Sequence, residues 1–123
     1  MNLSVHFDLH EFTCPCCGKH DLPPLQHLAQ KLELVRPDVG PMTINSGFRC
    51  PVHNAKVGGA AHSFHLLGLA ADIACTTSAA RFRLVKSLLA HGWARIGIAQ
   101  LYVHADLGPA PANVIWTYYR QSP

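Results

Sequence analysis

Two side chains that bind metal ions well lie seven residues apart near the middle of the chain. His65 follows Ser63 in a segment with the composition of a turn, and Asp72 lies in residues 69–74, which have the alternation of a β-strand. Successive side chains in a strand point to opposite faces, so Asp72 is predicted to stand among small alanines, opposite a core face. Zn²⁺ accepts imidazole nitrogen and carboxylate oxygen together. This segment therefore predicts two ligands of a metal site.

A third metal ligand, His104, is predicted from a later strand-like segment. Alternation there puts Tyr102, His104 and Asp106 on one face and leaves an apolar face for the core. Taken alone, His104 would most often be a hydrogen-bonded structural histidine. Together with His65 and Asp72 it completes a set of two imidazoles and one carboxylate. A zinc site with three protein ligands keeps a fourth position for water, as catalytic sites do.

These residues belong to a wider set of motifs. The chain contains Ser-Gly-Phe-Arg ending at Arg49, His-Asn at 53–54, Val-Gly-Gly-Ala at 57–60, Ser-x-His-x-x-Gly-x-Ala-x-Asp ending at Asp72, and His-x-Asp at 104–106. With these motifs it resembles the zinc D-alanyl-D-alanine carboxypeptidase family. That family also contains VanX-type dipeptidases and phage L-alanyl-D-glutamate endolysins, and it shares its fold with the hedgehog signalling domain. The resemblance spans roughly residues 12–116.

The resemblance implies a role for each matched residue. The implied zinc ligands are His65, Asp72 and His104. Arg49 would stabilise the negative charge that develops on the scissile carbonyl, and Ser63 would lie near the substrate. Tyr102 shares the predicted metal-side face and is therefore expected to line the cleft.

One position departs from the family pattern. Many members carry an acidic general base three residues before the last zinc histidine, and that position is Leu101 here. Asp106 is the replacement that the sequence offers, about 7 Å beyond His104 along the strand. Three interpretations of Asp106 are open: a general base, a carboxylate that orients His104, or the first residue of an Asp-Leu-Gly-Pro turn.

The predicted function is the hydrolysis of a peptide bond in bacterial cell-wall peptidoglycan by a zinc metallopeptidase. The implied partner is the peptidoglycan stem peptide. The enzyme would cut it either as a D-Ala-D-Ala carboxypeptidase or as an L-Ala-D-Glu type endopeptidase. Two hypotheses from other classes stay open. One is a non-catalytic zinc-containing module that binds peptidoglycan or is hedgehog-like, and the other is an interaction protein organised by a cysteine-bound metal.

Four of the five cysteines form a second candidate cluster. Cys14, Cys16 and Cys17 lie together, and Cys50 follows much later. Three interpretations are open: a structural Zn²⁺ bound by thiolates, a disulfide between Cys50 and a member of the trio, or free thiols in a turn. His20 lies close enough in sequence to join the cluster.

Composition limits the remaining classes. The chain has 123 residues, 49% of them hydrophobic and 14% charged, and a formal net charge of +3. One zinc metallopeptidase domain over residues 1–123 is predicted, with a cysteine-rich lead-in at 1–20. The basic residues are scattered without interleaved aromatics, so we expect no nucleic-acid partner. No apolar run approaches the roughly 20 residues of a membrane span, so we expect no membrane-spanning segment. We also expect the protein to be a monomer.

The first residues lack the charged start and apolar stretch of a signal peptide. We therefore expect synthesis in the cytoplasm. A peptidoglycan enzyme made there would act in the periplasm or cell wall after a phage-lysis or secretion route.

The elements that must position these residues follow an α+β pattern. The pattern predicts two main helices flanking a mainly antiparallel sheet of about five strands, and the resemblance implies that this fold is the one of the hedgehog domain and D-Ala-D-Ala peptidases. Helices are predicted at about 21–35 and 78–91, with a short one at 51–57. The predicted strands are 42–45, 69–74, 95–99, 101–106 and, at one edge, 114–119.

The two main helices have distinct signals. The buried stripe of the first is predicted to be Leu25, Leu28, Leu32 and Val35. Arg36-Pro37-Asp38 is predicted to end it, because the residue before proline avoids the α region. Thr77 or Ser78 is expected to cap the second helix. Its predicted apolar face is Phe82, Val85, Leu88 and Leu89.

Overall fold

A computed structural model of the chain describes residues 1–118. The helices are α1 (Leu22–Glu33), α2 (Arg36–Val39), α3 (Pro51–Lys56) and α4 (Ser78–Ala90), with 3₁₀ turns at Leu9–Phe12 and Phe64–Leu67. The strands are β1 (Ile44–Ser46), β2 (Ala70–Ala74), β3 (Arg95–Ile98), β4 (Tyr102–Asp106) and β5 (Val114–Thr117). Within residues 1–118, no helix is both long enough and apolar enough to cross a membrane.

The five strands form one mixed sheet in the order β1-β2-β4-β3-β5. Three pairings are antiparallel, and the pairing of β3 with β5 is parallel. The α+β class and the strand number are as predicted, but the sheet is not antiparallel throughout. The reason is geometric: β4 already has a neighbour on each side, so β5 must join the sheet at an edge. A chain reversal after β4 makes β5 antiparallel to β4, and it therefore runs parallel to β3.

One face of this sheet carries the core. The side chains of Ala71, Ile73, Val103 and Ala105 pack into the same buried cluster as the predicted stripe of α1, all four of whose residues are fully buried. Alternation along β2 and β4 sends Asp72 and His104 to the opposite face. The sheet is thus a partition between an apolar core and a polar site.

The segment Arg36-Pro37-Asp38 was predicted to end the first helix by leaving the α region, but it is itself helical. The helix α1 stops at Glu33, and these three residues begin the separate short helix α2, with Pro37 in its first turn. Proline is tolerated there because the first-turn N–H groups have no intrahelical acceptor. Gly40, at φ +80°, then ends α2.

The cap of α4 was predicted correctly, but its buried face only in part, since Leu88 is buried and Val85 packs against the core. The Thr77 side chain accepts a hydrogen bond from the Ala80 backbone N–H at 3.1 Å. Phe82 is 69% exposed and Leu89 51% exposed. The buried residues are Leu84, Ser87 and Leu88. Ser87 can be buried because its hydroxyl donates to Asp38 of α2 at 2.6 Å.

The lead-in is attached to the domain at Glu33, the last residue of α1. The Glu33 carboxylate accepts hydrogen bonds from the Ser4 hydroxyl at 2.6 Å and the His6 backbone N–H at 2.6 Å, and it lies 2.8 Å from His6 Nδ1. Burial opposes ionisation of this carboxyl, but the hydrogen bonds from Ser4 and His6 prevail and lower its pKa.

We expect Glu33→Gln to lower the free energy of unfolding by about 1 kcal/mol at neutral pH, because a charge-assisted acceptor is lost. A lowered folded-state pKa gives stability that is complete above the unfolded pKa, about 4.3 for glutamate, and is lost as the pH falls through the folded value. The difference between the two proteins in urea unfolding should therefore shrink on acidification. Asp21→Asn is the control, since Asp21 makes no side-chain cap bond. A difference that grows at low pH would contradict this account.

Candidate metal centre

Two of the predicted ligands lie directly opposite each other on paired strands. The antiparallel register of β2 and β4 puts Asp72 across from His104. Asp72 Oδ1 lies 3.0 Å from His104 Nδ1 and 3.2 Å from His65 Nε2. One ligand atom from each of the three residues lies within 4.8 Å of the others. All three side chains are buried. The structure therefore brings the three predicted ligands together.

The His65 imidazole is held by a turn and by a backbone oxygen. His65 lies in the 3₁₀ turn Phe64–Leu67, where its N–H donates to the Ser63 hydroxyl at 3.2 Å. Its Nδ1 lies 2.7 Å from the Gly47 carbonyl oxygen. A carbonyl can only accept, so Nδ1 donates to Gly47, and this contact turns Nε2 toward Asp72.

The His104 imidazole is held by a second carboxylate. Asp106 Oδ2 lies 2.7 Å from His104 Nε2, which leaves Nδ1 facing Asp72. Burial opposes protonation of His104, but its hydrogen bonds with Asp106 and Asp72 raise its pKa. Burial likewise opposes ionisation of Asp72, and hydrogen bonds with His104 and His65 hold the pKa of Asp72 well below its usual range. A strongly anionic oxygen thus lies between two imidazoles.

This donor set fits a zinc ion. Zinc–nitrogen and zinc–oxygen bonds are about 2.0–2.2 Å long, so two ligand atoms of a tetrahedral site lie about 3.3 Å apart. The contacts of Asp72 Oδ1 with the two imidazole nitrogens are close to that distance. Each histidine also has a partner at its other ring nitrogen, which is the usual arrangement behind a metal ligand. His65 Nε2, Asp72 Oδ1 and His104 Nδ1 are the atoms that would hold the metal.

The contacts of Asp106 match two of its three interpretations. One oxygen holds His104, while the other accepts from Arg95 Nε at 2.7 Å and from the Gly108 N–H at 2.9 Å. Asp106 therefore orients the imidazole and also begins the turn after β4. It lies at the far side of the His104 ring from Asp72. Its role as a general base stays a prediction.

Arg49 contacts the centre through Asp72. Its Nη2 donates to Asp72 Oδ2 at 3.0 Å, its Nε donates to Ser46 at 2.9 Å, and its Nη1 donates to Asn54 at 3.3 Å. Arg49 thus pairs with a carboxylate, and it also borders the pocket over the three ligands. Asn54 is buried and donates to the Ala60 carbonyl at 2.8 Å, so it fixes the outer end of the guanidinium. The role of Arg49 in catalysis stays a prediction.

The centre opens into a cleft with aromatic walls. A pocket of about 180 Å³ lies over the ligands, bordered by Ser63 and Tyr102. A larger one of about 410 Å³ adjoins His104 and is lined by Phe64, Arg95 and Trp116. Burial raises the pKa of Tyr102, and the charge of Asp72 raises it further, so its phenol keeps its proton. The predicted placement of Tyr102 at the cleft agrees with this geometry.

Sequence reasoning missed the wall formed by Arg95 and Trp116. The Arg95 guanidinium carbon lies 5.0 Å from the Phe64 ring centre and 5.2 Å from that of Trp116. The Trp116 ring centre is 5.4 Å from that of His104. Alternation along β5 could have placed Trp116 on the site face, but only if its parallel register with β3 had been known.

The cysteine cluster lies outside this centre. The sulfurs of Cys14, Cys16, Cys17 and Cys50 meet, and all five cysteines are free thiols. Burial opposes ionisation of Cys14, but backbone and thiol hydrogen bonds, chiefly from Cys50 and Cys16, lower its pKa to about 6. His20, which could have joined them, is not in the group of residues that meet.

Two imidazoles and one carboxylate that face a cleft, on the polar side of a small α+β domain, form the kind of centre found in metal-dependent hydrolases. The chain belongs to the Peptidase M15 family, whose model matches residues 5–106. Members of this family are metallopeptidases that typically depend on zinc. The match includes Arg49 and all three candidate ligands. No curated protein matches the chain.

We expect Asp106→Asn to weaken zinc binding by about 10–100-fold, because a neutral amide holds the His104 imidazole less strongly than a carboxylate does. Competition with a chromophoric chelator would measure the affinity. Asp38→Asn is the matched control. Asp38 also lies within hydrogen-bond distance of a serine and a histidine, but these contacts join α2 to the end of α4 and do not involve the metal centre. Equal affinities in Asp106→Asn and the wild type would show that Asp106 does not support the ligand.

Proposed function

We propose that this chain is a zinc-dependent peptidase that cuts a peptide bond in peptidoglycan stem peptides, as a D-Ala-D-Ala carboxypeptidase or an L-Ala-D-Glu type endopeptidase. The observation that carries the proposal is the convergence of His65, Asp72 and His104 beneath an open pocket. Three protein ligands with space above them suit a catalytic zinc rather than a closed structural one. We propose that the enzyme acts in the periplasm or cell wall, reached by a phage-lysis or secretion route.

When bound, zinc would polarise the scissile carbonyl and lower the pKa of a coordinated water to about 7. The protein supplies the rest of the electrostatics. Arg49 has donors at the edge of the same pocket, and its contacts with Asp72, Ser46 and Asn54 hold the guanidinium still. A fixed cation beside a carbonyl stabilises the negative charge that forms on its oxygen without reorganising.

The cleft offers separate places for the parts of a peptide. The Tyr102 phenol, which keeps its proton, can donate a hydrogen bond to a carbonyl over the ligands. Farther out, the aromatic wall of Phe64 and Trp116 can pack against an apolar side chain such as the methyl group of alanine. Arg95 is already paired with Asp106, so it serves this wall by packing rather than by capturing an anion.

A second candidate is a zinc-containing module that binds peptidoglycan without cutting it. The observation in its favour is Leu101, which is 60% exposed where many members have the acidic base. Asp106, the alternative acid, is committed to His104 and Arg95. Incubation of the zinc-loaded chain with purified peptidoglycan separates the two candidates. New amino termini and shortened stem peptides in the mass spectrum of released muropeptides support the peptidase. Co-sedimentation without cleavage supports the binding module, and the positions of the cuts identify the bond.

We expect Arg49→Ala to lower kcat on a stem peptide by about 10²–10³-fold, the cost of removing one preorganised oxyanion donor. Zinc content should be retained, because Arg49 is not a ligand. Arg83→Ala, which changes an exposed arginine on α4, is the control and should keep full activity. Full turnover by Arg49→Ala would sink the oxyanion role while leaving the metal centre intact.

A further inference from the structure

A second group of metal-binding side chains lies outside the proposed active site. The sulfurs of Cys14, Cys16, Cys17 and Cys50 come from two distant segments and lie within 4.8 Å of one another. Cys14 Sγ is 3.7 Å from Cys16 Sγ, which is 3.3 Å from Cys50 Sγ. Zinc–sulfur bonds are about 2.3 Å long, so the sulfurs of a tetrahedral site lie about 3.8 Å apart.

We propose that these four cysteines form a closed structural zinc site, separate from the His65, Asp72 and His104 centre. Four thiolates fill the tetrahedral coordination of Zn²⁺ and leave no position for water or substrate, so the site has no catalytic role. Cys14 and Cys17 have the Cys-x₂-Cys spacing of structural zinc sites, and Cys50 supplies a further thiolate ligand from a segment distant in sequence.

The backbone around the sulfurs is arranged as it is around bound thiolates. The Cys50 N–H donates to Cys14 Sγ at 3.4 Å, and the His53 N–H donates to Cys50 Sγ at 3.4 Å. Gly18, at φ +70°, turns the chain so that its N–H donates to the Cys14 carbonyl at 2.7 Å. N–H groups directed at sulfur favour the charged thiolate, which is the form that binds metal.

The loop has no hydrophobic means of holding this shape. Residues 15–21 are all exposed, and the preceding residue, Cys14, is buried. Ordering a residue costs about 1–2 kcal/mol of conformational entropy, and this loop buries no apolar side chain to offset that cost. Four converging thiols bound to one ion supply the missing cross-link, as in small domains that depend on zinc for folding.

The site would serve the active centre by anchoring the segment before α3. Cys50 is the N-cap of α3 and directly follows Arg49. Pro15, in the cysteine loop, forms one wall of a groove of about 370 Å³ whose other walls include Arg49 and Asp72. A metal at the cysteines would therefore fix the backbone next to Arg49 and the shape of one entrance to the cleft.

Zinc stoichiometry on the purified chain tests the proposal. Elemental analysis should give two zinc ions per chain for the wild type and one for the double variant Cys16→Ser/Cys17→Ser. It should also give one for His65→Ala/His104→Ala, and two for the control Cys75→Ser, whose thiol is outside the cluster. Zinc content that is unaffected by loss of Cys16 and Cys17 would overturn the proposal.

A second measurement holds even if the cysteine variant fails to fold. Cobalt-substituted His65→Ala/His104→Ala should show thiolate-to-cobalt charge-transfer absorption, and four thiols should react with a disulfide reagent only after chelation. The melting temperature of the His65→Ala/His104→Ala variant should fall when the metal is removed. Cobalt without that absorption, or an intact mass lower by two or four hydrogens, would instead show a disulfide or free thiols. Either result would refute the tetrathiolate site, and neither depends on peptidase activity.

Discussion

The buried carboxylate of Asp72 is the constraint on which the rest of the site depends. An ion taken out of water is tolerated only when charged or hydrogen-bonding partners surround it. Here those partners are His65 and His104 at one oxygen and Arg49 at the other. Each of them comes from a different part of the chain. The need to compensate one anion therefore draws a turn, a strand and the segment before α3 to a single point.

The sheet makes this convergence compatible with a stable core. Its apolar face packs into the core cluster that also contains the buried stripe of α1, and its other face is free to carry polar groups. Small residues keep that second face open. A Cβ atom on Gly97 would come within 2.7 Å of Trp116 Nε1, so the bare backbone of β3 is what allows the indole to approach His104. Rigid strands thus position two ligands, and the absence of a side chain shapes the cleft beside them.

The sequence was informative wherever local periodicity decided the outcome. Strand alternation was enough to put Asp72 and His104 on one face, and the three- and four-residue steps of α1 identified its buried stripe. Prediction from the sequence failed where a residue or strand distant in sequence determined the local structure. The burial of Ser87 on α4 depends on its hydrogen bond to Asp38, and the direction of β5 follows from the occupied flanks of β4. The Asp-Leu-Gly-Pro motif indicated the turn in which Gly108 donates to Asp106, but the contact of Asp106 with Arg95 could be assigned only after Arg95 was located.

The two histidine ligands differ in how strongly a substitution at a neighbouring residue would disturb their orientation. His104 is oriented by a side chain, so a single codon change at Asp106 can remove its support. His65 is oriented by the carbonyl of Gly47, which no substitution deletes. That oxygen can nevertheless be displaced, because a methyl group on Gly47 would collide with the backbone of Phe12 at 2.7 Å. A position with no functional group of its own therefore helps to place a metal ligand, because a larger residue at 47 would force the lead-in to shift.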